Sequence, residues 1–246
     1  MNKTGLINKL RQNVQALEGS LSPKQPDGWT FGAPFIDSYF PNGLAGDGIH
    51  DVVWDHLADY GTGLGFVLSL CMRNALDKPI LHCTAQTALI PYYQGLETLG
   101  MHTPQDLIHL KVGNGKDILW AAEEALRHGS LGAVIAETSA DLNQSRRLHL
   151  AAQDGGTPCF LLHHEKKSAL NGAHSRWHVK HAPHLLGHAP KWRLDLTRNK
   201  NGRLGHWTVE WHHETRHFHI SPSLANRAVA TGQSPRGEEQ FASACA

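Results

Sequence analysis

The segment GIHDVVWDHLADYGTGLGFVLSL, residues 48–70, carries the clearest signal for the class of fold. Its first part, Gly48–Trp54, is a short run without regular polar alternation, which is typical of a strand buried on both faces. A longer apolar run with helical character, Gly65–Ala75, follows it. Gly61 and Gly63 lie between these two runs, and Gly65 is the first residue of the second run. The segment therefore predicts a strand, a glycine-rich turn and a helix.

Strand-like and helix-like runs continue to alternate as far as residue 164. This alternation predicts an α/β protein with a mostly parallel sheet flanked by helices, because parallel strands need crossover connections. The predicted strands are Gly48–Trp54, Pro79–Cys83, Leu107–Val112, Leu131–Ala136 and Pro158–His163, and the predicted helices are Gly65–Ala75, Ile90–Leu99, Lys116–His128 and Leu142–Gln153.

The pattern changes in the last third of the chain. Glu165–Ser175 is polar and predicts a loop. Lys191–Arg198 and Trp207–Trp211 alternate apolar and polar residues on either side of a hairpin turn signal at Asn201–Gly202. Phe218–Ile220 predicts a short third strand. The sheet should therefore end in antiparallel strands.

These patterns divide the chain into three parts. Residues 1–30 are predicted to form an N-terminal helix and a linker, residues 31–220 the core domain, and residues 221–246 a disordered tail. The helix has a narrow apolar stripe made of Leu6, Leu10, Val14 and Leu17. Such a stripe suits contact with another chain, and it equally suits a short arm folded on its own domain.

Composition and charge narrow the class of protein. The four cysteines are scattered without a CxxC pair, no apolar run has the length of a membrane span, and the N-terminal residues do not resemble a secretory signal. A cytosolic protein is therefore expected. The net charge is +1, but residues 161–206 hold nine basic and two acidic residues. This basic segment predicts an anionic partner such as nucleic acid, and it also fits a loop and a hairpin that face water.

Several stretches resemble one known family in their residues and in their order. The resemblance is to the RecA core fold, and more closely to the ImuA family of RecA-like proteins, over about residues 31–220. The pair SRWHV (175–179) and KWRLDLTRNKNGRLGHWTVEW (191–211) is the most specific part of the resemblance. In chain order the stretches are GIHDVVW (48–54), AQTALIPYYQGLETLG (85–100), ILWAAEEALRHGSLGAVIAE (118–137), SRRLHLAAQDGGTP (145–158), SRWHV (175–179) and KWRLDLTRNKNGRLGHWTVEW (191–211).

The ImuA resemblance implies a role, partners and a location. ImuA-like proteins are encoded with an inactive Y-family polymerase homologue (ImuB-like) and an error-prone replicative-type polymerase subunit. Together these form a mutasome for translesion synthesis, induced in the SOS response to DNA damage. The resemblance therefore implies a cytoplasmic, nucleoid-associated accessory protein without a membrane partner. RecA, single-stranded DNA and a second copy of the chain are further candidate partners. RecA protomers join through an N-terminal element, so the N-terminal helix is the first candidate for an oligomer or partner contact.

The nucleotide site that the RecA resemblance implies has lost its chemical groups. A phosphate loop needs a lysine at the β- and γ-phosphates and a Ser or Thr hydroxyl on magnesium. With Gly63 aligned to the glycine before that lysine, Leu64 takes the place of the lysine and Gly65 that of the hydroxyl residue. Loss of one charge-assisted hydrogen bond costs about 1.5–3 kcal/mol. Gly61, Gly63 and Gly65 are then expected to serve only as the turn between strand and helix.

Two further positions complete this expectation. The resemblance places Gln86 where RecA-like ATPases carry a catalytic glutamate, and a glutamine cannot act as a general base. Glu137 falls at the acidic position that ends the fourth strand and is interpreted as structural or residual. The sequence thus predicts a protein that is not an enzyme and has no cofactor. The 19 histidines do not show the spacing of a metal site, so no metal is expected either.

DNA or partner contacts are predicted in the basic segment. The resemblance places a DNA-binding loop at 164–175, where Lys166, Lys167 and Arg176 would contact phosphates and Trp177 would stack a base. The alternative is that Trp177 begins a core strand and the lysines are merely solvated. The hairpin adds four candidate contacts, namely Arg193, Arg198, Lys200 and Arg203, for which a solvated face is again the alternative.

Two other functions remain open at this point. One is a DNA-stimulated ATPase with a degenerate nucleotide site. The other is an inhibitor of cell division, because the SulA inhibitors share RecA-like ancestry, although they are usually shorter and lack the basic hairpin.

Overall fold

The computed structural model describes residues 28–75, 78–85, 91–101, 107–167, 172–183, 189–200 and 202–221. Three expectations lie outside these residues. They are the N-terminal helix with Leu6, Leu10, Val14 and Leu17, the role of Gln86, and the tail beyond residue 221.

The described residues form nine strands of one mixed sheet. These are β1 (Ile49–Trp54), β2 (Ile80–Ala85), β3 (Leu107–Val112), β4 (Ala133–Ala136), β5 (Cys159–His164), β6 (Ser175–His181), β7 (Lys191–Asn199), β8 (Gly205–His212) and β9 (His217–Ile220). Their order is β3-β2-β4-β5-β1-β6-β7-β8-β9. Neighbouring strands from β3 to β6 are parallel, and those from β6 to β9 are antiparallel. The predicted fold class is confirmed.

Helices cover both faces of the parallel part of the sheet. They are α1 (Pro34–Asp37), α2 (Tyr60–Asn74), α3 (Tyr93–Glu97), α4 (Gly115–His128) and α5 (Leu142–Gly155). Local sequence explains the ends of α4 and α5. Asn114 accepts hydrogen bonds from the first backbone N–H groups of α4, and a capping box of Asp141 and Gln144 starts α5. Each helix ends at a left-handed glycine, Gly129 or Gly156. None of the described helices is long and apolar enough to cross a membrane.

Helix α2 is enclosed on all sides. Nine consecutive residues, Gly63–Cys71, are buried. The helix packs on β1, β5 and β6, while α4 and α5 pack on the opposite face of the sheet. The turn between β8 and β9 returns to its other end, where Arg73 Nη1 donates to the carbonyl of Arg216 at 2.9 Å. A helix buried all round must be apolar all round, which accounts for the absence of charged residues between Asp59 and Arg73.

The start of α2 corrects the prediction for the glycines. The sequence predicted a turn through them and a helix from Gly65, but the helix begins at Tyr60, so all three glycines are helical. Two of them face packed side chains. A Cβ atom on Gly63 would lie 3.2 Å from Leu162 Cδ1, and one on Gly65 would lie 3.4 Å from Trp192 Cζ2. Their role is therefore close packing of the helix rather than a turn.

A pair of substitutions tests this role. Gly61 is exposed, and an added Cβ atom would meet nothing within 4 Å, so Gly61→Ala should be neutral or stabilise the protein by about 0.5 kcal/mol. Gly63→Leu should destabilise it by about 1–3 kcal/mol, because the added side chain overlaps Leu162 and Val52. Urea denaturation measures both free energies of unfolding. Equal effects of the two substitutions would show that Gly63 is not in a close contact.

Candidate functional site

The connection between β1 and α2 occupies the position of the expected phosphate loop. It consists of Asp55–Asp59 and includes one 3-10 turn. None of the three glycines has a positive φ, and Leu64 is only 5% exposed in the core. Asp59 stands at the N-terminal end of α2 and its Oδ1 accepts from the backbone N–H of His181 at 2.8 Å. The side chain of Asp59 makes no capping hydrogen bond to α2, but its negative charge lies near the positive end of the helix dipole and disfavours a phosphate there.

Glu137 lies directly after β4, as the sequence analysis placed it, and its carboxylate is engaged. Its Oε1 accepts hydrogen bonds from the Tyr60 hydroxyl and from His82 Nε2, the latter at 2.8 Å. Its backbone N–H donates to the carbonyl of Cys83 at 2.9 Å. Burial and the contact with Glu137 raise the pKa of Tyr60, so the phenol stays protonated and donates. These bonds tie β2, β4 and α2 together at the carboxyl ends of the strands.

A second histidine extends this cluster to the edge strand. His82 Nδ1 and His109 Nδ1 are 3.2 Å apart. If both rings are neutral and His82 donates to Glu137 through Nε2, then His109 must donate through Nδ1. Burial lowers the pKa of His109, which agrees with a neutral ring. The cluster is thus a chain of hydrogen bonds from β3 to α2 that occupies Oε1 of Glu137.

A second cluster of charged side chains lies beyond the ends of β1 and β5. Asp55, Glu165 and His178 place one ligand atom each within 4.8 Å of one another. Lys180 forms an ion pair with Asp55 Oδ2, and His178 Nδ1 lies 3.7 Å from Asp55 Oδ1. The hydrogen bond from Lys180 is the main cause that lowers the pKa of Asp55. This cluster and Asp59 make the carboxyl end of β1 and its surroundings rich in carboxylates.

Two of the predicted DNA contacts serve the interior of the protein, although Arg176 itself is 19% exposed. Trp177 is 1% exposed, with its ring among those of Phe31, Phe40 and Phe66, so it cannot stack a base in this conformation. The prediction of a stacking role is corrected here, and the alternative of a core strand holds. Arg176 donates to Asp51 Oδ2 through Nε at 2.9 Å and through Nη2 at 2.7 Å.

The Asp51 carboxylate that Arg176 contacts is fully buried. Its Oδ1 lies 3.7 Å from His163 Nε2. Burial by itself would raise the pKa of Asp51, but His163 and Arg176 bring it below its usual range. Arg176 therefore neutralises a charge in the interior, and its guanidinium belongs to the structure of the sheet.

The remaining predicted cations fall into two groups. Lys166 and Lys167 are exposed in a turn at the carboxyl end of β5, and Arg193 is exposed near that end of the sheet, beside Lys180. Arg198, Lys200 and Arg203 lie toward the opposite end, because the end of β7 pairs with the start of β6. The two ends are separated by the length of a six-residue strand, about 20 Å. The structure thus does not gather the predicted contacts into one patch.

Several of these cations already have partners. Arg193 Nε lies 3.6 Å from Asp195 Oδ1, and the Arg203 guanidinium lies 4.4 Å from the centre of the Tyr39 ring. Nearby histidines add little charge at neutral pH. Burial lowers the pKa of His50 to about 4 and that of His174 to about 3. The surface of this segment is therefore less positive than its sequence suggests.

Comparison with known proteins settles the family. No protein-family model matches the chain. The chain is 30% identical over 232 residues to "Protein ImuA" of Caulobacter vibrioides (strain NA1000 / CB15N), and the match covers 84% of this chain and 94% of that protein. The same values hold for "Protein ImuA" of the strain ATCC 19089 / CIP 103742 / CB 15. The chain belongs to the ImuA family. Membership of the ImuA family supports involvement in the mutagenic response to DNA damage, in agreement with the sequence resemblance at this coarse level.

The structure of this ImuA-family chain also reveals residues that the sequence analysis did not select. Tyr60 and His82 hold Glu137, and Asp55, Glu165 and His178 converge beside β1. The sequence did contain a signal for two of these residues, Asp55 and Glu165. Asp55 and Glu165 follow directly after the last residues of two strands, and the carboxyl ends of neighbouring parallel strands meet at one edge of a sheet.

Arg176→Ala tests the structural role of this arginine. We expect the free energy of unfolding to fall by about 3–5 kcal/mol, because the buried Asp51 carboxylate loses its guanidinium partner. Arg193→Ala is the matched control, since this arginine is 60% exposed and its loss should change stability by no more than about 0.5 kcal/mol. Urea denaturation of both variants measures the difference. Similar stabilities of the two variants would contradict the role assigned to Arg176.

Proposed function

We propose that this ImuA-family protein is a non-catalytic accessory protein of an error-prone translesion synthesis complex. In this proposal its RecA-like core is a scaffold that binds an inactive Y-family polymerase homologue and an error-prone replicative-type polymerase subunit. RecA and single-stranded DNA are additional candidate partners at the nucleoid. Two observations support the proposal: the chain belongs to the ImuA family, and the residues at the expected nucleotide site lack the groups that bind phosphate.

The observation that carries the non-catalytic part is the position of Leu64. This residue stands where a phosphate-loop lysine would be, and it lies within a buried helix that begins four residues earlier. The backbone N–H groups around it are committed to the helix, so they are not arranged around a phosphate. The carboxylates of Asp55 and Glu165 lie beyond the same end of the sheet and would repel one. Phosphate binding is therefore disfavoured by both the backbone and the charges.

Nucleotide titration tests the non-catalytic proposal. We expect no saturable binding of a fluorescent ATP analogue and no ATP hydrolysis, with or without single-stranded DNA. An active RecA preparation is the positive control for both assays. Hydrolysis by the wild type that disappears in Glu137→Ala would contradict the proposal and favour the degenerate ATPase.

Leu64→Lys provides a second test at the same position. Restoring the lysine should not restore nucleotide binding, because its ammonium would be placed in the core. We expect this variant to lose more than about 3 kcal/mol of stability, whereas Leu64→Ala should lose about 2–5 kcal/mol through its cavity alone. A folded Leu64→Lys variant that binds ATP would show that the phosphate loop is intact.

The outer side of α4 and α5 offers one surface for a protein partner. Trp120 is 64% exposed there, at a groove of about 250 Å³. The groove is lined by Lys116, Leu119, Trp120, Glu123, Gln144, Arg147 and Leu148. An exposed tryptophan beside an arginine is the residue combination enriched in the central contacts of protein interfaces. This supports Trp120 as a partner contact, alongside the N-terminal helix.

A pull-down with the neighbouring gene products tests the scaffold part. The tagged full-length chain should retain the Y-family polymerase homologue. Trp120→Ala and Leu10→Glu ask which of the two surfaces is used, and Tyr92→Ala, which alters another exposed aromatic residue at 72% exposure, is the control. Failure of the wild type to retain the Y-family homologue would remove the scaffold proposal. Retention of the tubulin-like division protein in its place would favour the SulA-like alternative.

A further inference from the structure

Three metal-ligating side chains from three separate segments converge beside the start of α2. Asp55 follows β1, Glu165 follows β5, and His178 lies on β6. One carboxylate oxygen from each acid and one imidazole nitrogen lie within 4.8 Å of one another. Among the described residues, no other three metal-ligating side chains lie this close together.

The sheet itself brings the three side chains together. In the parallel register, Trp54 is opposite His164 and Val53 is opposite His178. Asp55 and Glu165 are the next residues after the first pair, so they leave adjacent strands at the same level. Their approach is therefore set by backbone pairing, which is more rigid than a meeting of exposed loops.

One carboxylate oxygen of the cluster forms no hydrogen bond with the residues that the structure describes. Asp55 Oδ2 pairs with Lys180. Asp55 Oδ1 is enclosed and has no hydrogen-bond partner among the residues that the structure describes. His178 Nδ1 lies 3.7 Å from this oxygen, beyond hydrogen-bond distance, and Lys180 pairs with the other oxygen, so neither residue gives Asp55 Oδ1 a donor. A buried acceptor in this state is costly unless a cation or a donor reaches it.

We propose that Asp55, Glu165 and His178 bind a divalent metal ion of the Mn²⁺ type. Two carboxylate oxygens and one imidazole nitrogen suit a borderline-hard ion, because carboxylates favour Mg²⁺ and Mn²⁺ whereas imidazole favours transition metals. Three protein ligands leave coordination positions for water. The ion would link the β1–α2 connection to β6 and to the turn after β5. This proposal does not depend on the proposed scaffold function.

Mn²⁺ binding to the full-length protein tests the proposal. The protein is treated with EDTA and desalted, and free Mn²⁺ is followed by electron paramagnetic resonance during titration. Mn²⁺ is the better probe because Zn²⁺ would also bind to the many histidines of this chain. We expect one saturable site in the wild type. Glu165→Gln and His178→Ala should each weaken it by about tenfold or more, since loss of even an indirect ligand contact has an effect of this size.

Two control variants separate this site from chance binding. His206→Ala removes an exposed histidine on β8, two strands away from His178, and Glu124→Gln removes an exposed carboxylate on α4. Both should bind Mn²⁺ like the wild type. Thermal melting gives an independent readout, because Mn²⁺ should raise the melting temperature of the wild type and not that of Glu165→Gln. Absence of saturable Mn²⁺ binding, or equal binding by Glu165→Gln and the wild type, would overturn the assignment.

Discussion

Apolar packing around helix α2 holds the distant parts of this fold together. The helix lies on the sheet, and Trp192 and Phe218 of the C-terminal strands also pack against it, so its sides need apolar contacts. Phe66 alone meets the rings of Phe31, Trp177 and Phe218, which come from three different parts of the chain. A lysine at position 64 would bring a charge into this core at a cost of several kcal/mol. The core around α2 therefore requires an apolar residue at position 64.

The position of α2 also affects which charged residues lie at the carboxyl ends of the strands. Because α2 begins at once after a short connection, its N-terminal end is occupied by the protein's own acid, Asp59. Glu137 is held by Tyr60 and His82, and Asp55 by Lys180. Asp55 Oδ1 at this edge is buried without a hydrogen bond among the described residues, and such an oxygen suits a cation rather than a phosphate. The non-catalytic proposal and the proposed metal site have this common physical basis.

Charge counted along the sequence is a poor guide to charge on the surface of this protein. The basic segment 161–206 has a strong positive excess in the sequence. In the structure Arg176 neutralises Asp51 in the interior, Lys180 pairs with Asp55, and the exposed lysines are distributed over opposite ends of the sheet. A count cannot show this, because pairing depends on which strands become neighbours. A nucleic acid bound to this segment would contact the lysines at one end of the sheet, or would have to extend to both ends.

The fold class, helices α4 and α5, the C-terminal hairpin and the strands other than β6 were predicted from the sequence. Each of these depends on local signals, namely apolar periodicity, caps such as Asn114, and a turn at Asn201–Gly202. The sequence also determined the family, since the ordered stretches that resembled ImuA belong to a chain 30% identical to that protein. Three features became visible only in the folded chain: the glycines are helical, Trp177 faces the core, and Asp55 meets Glu165 from 110 positions away. These outcomes depend on which faces pack together and on strand register, and neither is encoded in any short stretch of the chain.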